Sequence, residues 1–149
     1  MSLLDGPKLT PAEATAALML TPDGRYLLQH RDDLPGIFWP GYWGCFGGAL
    51  EPGETPEICL RRELSEELAH AATQVGHFSS MQMDWSFAGH GRIQRHFFEV
   101  PIAEADVASM QLGEGQGLGL WTAEDILTAP NVIPYDATVI WMHAARARF

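Results

Sequence analysis

The segment from residue 55 to residue 69, TPEICLRRELSEELA, constrains the fold more than any other part of the chain. Leu60, Leu64 and Leu68 recur at intervals of four and define one apolar stripe, which Ile58 would widen. The Thr-Pro pair at its start suits an N-cap followed by a first helical position. We therefore predict a helix over 55–69 whose apolar stripe packs on another layer.

The same helix carries a cluster of carboxylates beside its apolar stripe. Glu63, Glu66 and Glu67 lie at i, i+3 and i+4, where like charges repel one another. Most acidic runs are solvated helix faces, and Arg62 with Glu66 forms an ordinary i,i+4 pair. Three close carboxylates with so few cations are nevertheless unfavourable, and a divalent metal such as Mg²⁺ would relieve the repulsion. The glycine pair at 47–48 leads into this segment, and backbone without side chains can approach a metal or phosphate closely.

The rest of the chain predicts a mixed α/β fold. Strands are expected at 14–20, 25–30, 43–48, 77–87, 93–100 and 115–122, the first two forming a hairpin across the TPDG turn. A loop is expected at 31–42, a short helix after Thr122 and a terminal helix over 134–149, whereas residues 1–12 are turn-rich and peripheral. Strands interspersed with helices favour a mixed sheet covered by helices, in a single domain over 1–149.

Charge and composition exclude some classes of function. The formal net charge is −10 and the chain has a single lysine, Lys8, so we expect no nucleic-acid polymer as partner. No apolar run is long enough for a membrane span, and no N-terminal signal segment is visible. Cys45 and Cys59 are too few for a disulfide framework and behave as small apolar residues. We expect a cytoplasmic protein without membrane association.

The acidic segment resembles the motif of the Nudix hydrolase family. That family's pattern is G-x5-E-x7-R-E-U-x-E-E-x-G-U, in which U is an apolar residue. This chain places Gly48, Glu54 and the run Arg62-Glu63-Leu64-Ser65-Glu66-Glu67 at the same spacings. It departs from the pattern at Ala69 and His70, which concern the helix end and not the metal ligands. The resemblance implies a Nudix-type α/β/α sandwich with the loop and helix of this box on one side.

The resemblance also implies an activity and roles for the box residues. Nudix hydrolases use Mg²⁺ or Mn²⁺ and water to cleave a nucleoside diphosphate linked to another group. By this likeness Glu63, Glu66 and Glu67 would bind metal, with the Gly47 carbonyl as a further ligand. Arg62 would orient a carboxylate through its planar fork, and Glu54 would support the loop and contact metal through water. Three carboxylates are candidates for the general base that activates water: Glu63, Glu67 and, on a later loop, Glu114.

Substrate selection has to come from outside the box. Aromatic side chains can stack on a base, and Trp39 is the favoured candidate because it lies in a loop. The other aromatic candidates are Tyr42, Trp43, Phe46, Trp85, Phe87 and Trp121, most of which are expected in the core. For phosphate contacts the candidates are Arg31, Arg92 and Arg95. The substrate is expected to be a nucleoside triphosphate, ADP-ribose, a nucleotide sugar or a similar small diphosphate.

Two other functions are compatible with a fold of this type. One is isomerisation of a prenyl diphosphate, which needs a Cys and Glu pair for proton transfer; Cys45 lies near the box. The other is a non-catalytic module that binds a nucleotide, although such modules tend to lose the carboxylates that this chain keeps. A homodimer is also compatible, with Trp141 and Met142 of the terminal helix at its interface or in the core.

Overall fold

The computed structural model describes residues 13–148, in which six strands form one mixed sheet. The strands are β1 (Ala14–Leu20), β2 (Tyr26–His30), β3 (Trp43–Gly44), β4 (Gly76–Asp84), β5 (Arg92–Pro101) and β6 (Gly117–Trp121). The strand order is β3-β2-β1-β5-β4, and β6 pairs with β2. The predicted peripheral segment 1–12 lies outside the described residues.

Helices cover both faces of this sheet. They are α1 (Pro56–Leu68), α2 (Glu104–Ser109), α3 (Ala123–Thr128) and α4 (Pro134–Ala144), with single 3-10 turns at Ser86–Ala88 and Arg146–Arg148. One apolar cluster joins the sheet to α1, and a second joins the opposite face to α3 and α4. This is the α/β/α sandwich that the resemblance implies, and it confirms the mixed sheet covered by helices that the sequence pattern predicts.

Strand β1 shows how the two clusters share one sheet. Successive side chains of a strand point to opposite faces. Ala16 and Leu18 therefore pack towards α4, and Ala17 and Met19 pack towards α1. The strand is buried on both faces, as is typical of parallel pairing, and it pairs in parallel with β5 over its whole length.

The predicted hairpin of the first two strands is a minor contact. In the register of β1 and β2 only Leu20 and Tyr26 are paired, whereas all five residues of β2 pair with β6. The strand predicted at 43–48 is regular only at 43–44. Beyond it the chain runs along β1, where Ala17 N–H donates to the Phe46 carbonyl and Thr15 N–H donates to the Gly48 carbonyl, each at 2.8 Å.

Helix α1 has the ends and the buried stripe that the sequence predicts. The Thr55 hydroxyl accepts the Ile58 N–H at 3.3 Å, and the three leucines of the stripe are fully buried. Ile58 is 55% exposed, so the expectation that it widens the stripe is wrong. The helix ends at Ala69, which takes the left-handed conformation with φ 51°. The His70 N–H then donates to the Leu64 carbonyl at 3.2 Å, which closes the last turn.

The sequence did not predict α2 or the two 3-10 turns. Each is six residues or shorter, too short for an apolar period to show. The terminal helix is regular over 134–144 and then tightens to a 3-10 turn. Within residues 13–148 no helix is both long enough and apolar enough to cross a membrane.

Candidate active site

Two carboxylates of α1 lie directly beneath the glycine pair that precedes the helix. The Gly47 N–H donates to Glu67 Oε2 at 3.3 Å. A Cβ atom at Gly48 would lie 2.5 Å from the carboxyl carbon of Glu63, so only glycine lets the loop approach that closely. The loop and the helix therefore bring backbone and two carboxylates to one point. The Gly47 carbonyl, predicted as a metal ligand, belongs to the same turn.

Arg62 holds the remaining acidic side chains around this point. Its Nε and Nη2 donate to the two oxygens of Glu54 at 2.6 and 2.9 Å, a bidentate pair. Its Nη1 donates to Glu63 at 2.9 Å and to Glu66 at 3.2 Å. Nη2 also donates to the Ala49 carbonyl at 3.2 Å, which ties the arginine to the loop. One guanidinium thus positions three carboxylates, as expected for an orienting residue.

The carboxylates differ in their electrostatic environment. Burial, followed by the nearby charge of Glu63, raises the pKa of Glu67 to about 8. Burial also raises the pKa of Glu63, although the hydrogen bond from Arg62 opposes that change. The hydrogen bond from Arg62 lowers the pKa of Glu54 to about 2. Glu66 is 60% exposed and extends to the surface. Glu67, only 6% exposed, is the carboxylate whose charge is least compensated.

The loop that carries Glu114 is attached to the C-terminal end of α1. The Gln111 N–H donates to the Leu68 carbonyl at 2.9 Å, and the Gly113 N–H donates to the Glu67 carbonyl at 2.7 Å. Gln29 of β2 donates to the Glu114 carbonyl at 3.1 Å from the other side. The charge of Glu114 contributes to the raised pKa of both Glu63 and Glu67, so Glu114 lies close enough to repel both carboxylates electrostatically.

The donor set fits a hard divalent cation. Carboxylate and carbonyl oxygens are the ligands that Mg²⁺ prefers, and Mg²⁺ commonly keeps several waters and binds only one or two carboxylates. Within the described residues, no three carboxylate, imidazole or thiol groups already converge at the spacing of a metal site. Arg62 explains part of this, because it draws Glu63 and Glu66 towards itself. Glu63, Glu67 and the Gly47 carbonyl are the groups that could bind a metal ion here.

A pocket of about 280 Å³ opens beside the glycine loop. The backbone of residues 47–49 forms the wall nearest the carboxylates. The principal side chains that line it are Arg31, Phe38, Cys45, Ile93, Arg95 and Tyr135. A pocket that adjoins the carboxylates and contains cationic and aromatic groups can hold an anionic, ring-containing molecule.

The predicted substrate residues are divided between this pocket and the core. Arg31 and Arg95 line the pocket. Phe46 was expected to contact substrate, but its side chain is fully buried against α1, so that expectation is corrected. A residue of a central β-segment faces either the pocket or the core, and the sequence alone did not decide which. Arg92 is 72% exposed at the start of β5, outside the pocket lining.

Trp39 belongs to an aromatic cluster next to the pocket. Its ring centroid lies 5.1 Å from that of Tyr42, 6.3 Å from that of Trp85 and 6.3 Å from that of Tyr135. It has a positive φ of 51°, which is a strained conformation for a bulky side chain. Its buried Nε1 has no hydrogen-bond partner among residues 13–148. Of the other aromatic candidates, Trp43 stacks on His30 and Phe87 is 78% exposed.

Sequence reasoning missed three residues of the pocket region. Phe38 and Tyr135 line the pocket, and the fully buried Asp136 forms an ion pair with Arg95. Phe38 lies beside Trp39 in the same loop, so the aromatic run FW was a signal for it. Tyr135 and Asp136 begin α4, 88 residues from the glycine pair in sequence (47 to 135 and 48 to 136), and only the tertiary fold brings them there.

Comparison with known proteins identifies the family. The NUDIX domain model matches residues 10–140. The chain therefore belongs to the NUDIX domain family, as its box predicts. The predicted enzyme class, a Nudix hydrolase acting on phosphoanhydride bonds, agrees with this match.

Similar solved structures and relatives agree with the family. The MutT protein from Methanosarcina mazei Go1 superposes with a TM-score of 0.76 at 18% identity, covering 96% of this chain and 99% of that one. The Escherichia coli ORF135 protein gives a TM-score of 0.72 at 31% identity, covering 96% and 97%. A stretch of 46 residues is 54% identical to the nucleoside triphosphatase NudI of Escherichia coli. That stretch is 31% of this chain and 32% of NudI, so the chain spans about a third of the length of the curated relatives it matches.

Proposed function

We propose that this chain is a divalent-metal-dependent pyrophosphohydrolase that cleaves a nucleoside diphosphate linked to another group. The observation that carries the proposal is the pair Glu63 and Glu67, held under the Gly47–Gly48 backbone beside a cationic and aromatic pocket. The nucleoside triphosphatase NudI supports a nucleoside triphosphate as the first substrate class to test. ADP-ribose, nucleotide sugars and related diphosphates are the classes to test next.

The residues of the candidate site would have three roles: to bind the metal, to position the carboxylates and to accept a proton from water. Glu63, Glu67 and the Gly47 carbonyl would hold Mg²⁺ or Mn²⁺, with Glu66 and Glu54 as outer groups. Bound there, the metal would neutralise diphosphate charge and acidify a bound water. Arg62 keeps the carboxylates in place through its bonds to Glu54 and Glu63.

The general base has to be a carboxylate close to the attacking water. Glu63 and Glu67 qualify by position on the helix, and Glu114 qualifies because its charge is felt by both. Arg31 lines the pocket and its charge opposes the raised pKa of Glu67, so it is the arginine we assign to substrate phosphate.

A phosphate-release screen across nucleotide classes tests the proposal. Each class is incubated with Mg²⁺, with Mn²⁺ and with neither, and the products are coupled to a pyrophosphatase or, separately, to a phosphatase. We expect metal-dependent turnover of one class, and the coupling enzyme that gives signal identifies the bond that breaks. The Glu66→Gln, Glu67→Gln double variant should lose about 10²–10⁴-fold in kcat.

Glu57→Gln provides the matched control on the same helix. Glu57 is exposed, pairs with Arg61 and lies one turn or more from the cluster, so its loss should leave kcat unchanged. Turnover that survives in the double variant would disprove the proposal. Tight nucleotide binding without products would instead indicate a binding module, and turnover of a prenyl diphosphate would indicate an isomerase.

A further inference from the structure

Arg95 occupies an unusual position for an arginine in a pocket that receives an anion. Its side chain is only 14% exposed and donates twice to Asp136, from Nε at 3.1 Å and from Nη2 at 3.3 Å. Asp136 is fully buried and also accepts the Cys45 N–H at 2.9 Å. The charge of Arg95 is therefore already balanced, which distinguishes it from a phosphate-binding cation.

The guanidinium of Arg95 is also fixed in its plane. Its central carbon lies 5.5 Å from the ring centroid of Phe97 and 5.3 Å from that of Tyr135. Two aromatic rings and a bidentate carboxylate leave it little freedom to reorient. A rigid, neutralised guanidinium suits recognition of a planar group better than capture of a mobile anion.

Part of the donor capacity of Arg95 is unused. A guanidinium has five N–H donors, and Asp136 takes one from Nε and one from Nη2. The end-on pair, one N–H from Nη1 and one from Nη2, then forms a second fork for which the described residues provide no acceptor. Arg95 lines the pocket, and contact with a ligand there requires that this fork face it.

The side chains that line the pocket supply few hydrogen-bond acceptors beside the free donors of Arg95. Arg31 and Arg95 are donors only, and the Tyr135 hydroxyl and the Cys45 thiol are the other polar side-chain groups of the lining. Among residues 13–148, no carboxylate or carboxamide side chain belongs to the lining. Trp39 packs on Tyr135 but does not itself belong to the described lining. The described lining side chains therefore offer mainly donors to a ligand.

We propose that this pocket selects a purine base by its carbonyl edge, and that the free fork of Arg95 reads that edge. Hypoxanthine and guanine present two adjacent acceptors, O6 and N7, which match a bidentate arginine. Adenine presents N7 beside an amino donor, which would face a second donor and leave both unpaired. The inference rests on the proposed function, since it names the base of the nucleotide that the site cleaves.

Inosine and adenosine triphosphates form a matched pair for the test, because they differ only around position 6 of the base. A good bidentate contact discriminates by about 5- to 150-fold. We expect kcat/KM for the inosine nucleotide to exceed that for the adenosine nucleotide by about 10-fold or more. The Arg95→Lys variant keeps the charge towards Asp136 but lacks the fork, so its ratio should approach one.

Arg92→Lys is the control, since Arg92 lies three residues away on the same strand but outside the pocket lining. It should keep the wild-type preference. Should Arg95→Lys fold poorly, the double variant Arg95→Gln, Asp136→Asn replaces the buried ion pair by neutral amides of similar shape and should also lose the preference. Equal kcat/KM for the two nucleotides in the wild type, or a preference that persists without Arg95, would overturn the inference.

Binding of the free nucleosides separates this inference from the proposed function. Intrinsic tryptophan fluorescence, measured without metal, should show inosine binding at least about 5-fold more tightly than adenosine. If that preference holds and no nucleotide is cleaved, the proposed hydrolysis fails while base selection stands. Equal or absent binding of both nucleosides would refute base selection whatever the turnover.

Discussion

At the scale of single residues, Ala69 adopts a conformation that its type disfavours. It is the residue at which α1 ends, and its φ of 51° lies in the left-handed region where glycine is usual. The left-handed conformation costs an L-residue roughly 1–2 kcal/mol. The helix ends here nevertheless, because Ala69 and His70 N–H groups donate to the Ser65 and Leu64 carbonyls.

We expect Ala69→Gly to stabilise the protein. Glycine relieves the strain but loses more backbone entropy on folding, so the net gain should be about 0.5–1 kcal/mol. Urea unfolding followed by circular dichroism measures the difference. Ala108→Gly in α2 is the control: Ala108 is exposed and helical, so its replacement should destabilise the protein. Equal destabilisation by both changes would show that Ala69 carries no strain.

Single residues also show how far local patterns reach. The box spacing predicts an orienting role for Arg62, whose carboxylate partners lie within one loop and one helix, and that role stays a prediction. Phe46 was assigned to substrate and lies in the core, and Arg95 was assigned to phosphate and bonds with Asp136. Asp136 is 41 residues away from Arg95, so the charge that balances this arginine is invisible to local patterns.

At the scale of elements, the contact of the 111–116 loop with the end of α1 decides where Glu114 lies. A Cβ atom at Gly113 would lie 2.7 Å from the Glu66 carbonyl oxygen. The Gly113 N–H meanwhile donates to the next carbonyl, that of Glu67. The loop therefore closes the helix C-terminus and keeps Glu114 near the box carboxylates through the same short contact.

We expect Gly113→Ala to push this loop away from α1. The added methyl group meets backbone, which cannot move aside as a side chain can, so stability should fall by about 1–3 kcal/mol. If Glu114 is the general base, kcat should fall much more than KM rises, as it should in Glu114→Gln.

Gly117→Ala is the matched control, because a Cβ atom at Gly117 would meet no atom within 4 Å. Stability and kcat should both stay near wild type in that variant. The two quantities come from urea unfolding and from the nucleotide assay. Normal kcat in both Gly113→Ala and Glu114→Gln would remove Glu114 from the candidates for the base and leave Glu63 and Glu67.

The elements themselves were predictable to different degrees. Helix α1 was located to within a residue at each end, because its cap, its leucine stripe and its length agree. Strand β3 was overextended, since the chain after it keeps hydrogen bonds to β1 without regular strand geometry. The pairing of β2 with β6 joins segments about 90 residues apart, and neither segment has a local sequence pattern that indicates its partner.

At the scale of the whole molecule, a buried polar network attaches the C-terminal layer to the sheet. The Tyr26 hydroxyl of β2 lies 2.7 Å from His143 Nδ1, and His143 Nε2 lies 2.6 Å from Glu99 of β5. Arg146 adds a longer contact of 3.6 Å to the same carboxylate. The geometry fits a neutral imidazole that donates through Nε2 and accepts from tyrosine. Burial, aided by the charge of Arg146, lowers the pKa of His143 although Glu99 opposes the change.

This network predicts a pH dependence of stability. Unfolded histidine takes up a proton near pH 6.5, whereas His143 in the folded protein takes it up at lower pH. Its stabilisation is therefore complete above pH 6.5 and decreases as the pH falls through that value towards the folded pKa. The stability difference between wild type and His143→Gln should shrink between pH 7.5 and pH 5 in urea unfolding.

His77→Gln controls for the loss of a histidine as such, because His77 is exposed on the outer strand β4. The free energy of unfolding could instead differ between wild type and His143→Gln by the same amount at every pH in this range. That result would contradict the prediction that burial lowers the pKa of His143.

The aromatic cluster beside the pocket is assembled from three separate chain segments. Phe38 and Trp39 come from one loop, Trp85 from the turn after β4, and Tyr135 from the start of α4. The carboxylates, in contrast, come from one continuous stretch of helix and its preceding loop. The proposed chemistry and the proposed selectivity therefore depend on different parts of the chain, so substitutions can change one and leave the other intact. Grafting these three aromatic segments together with Arg95 and Asp136 onto another sandwich of this kind should carry the proposed base preference with them and leave the bond that is cleaved unchanged.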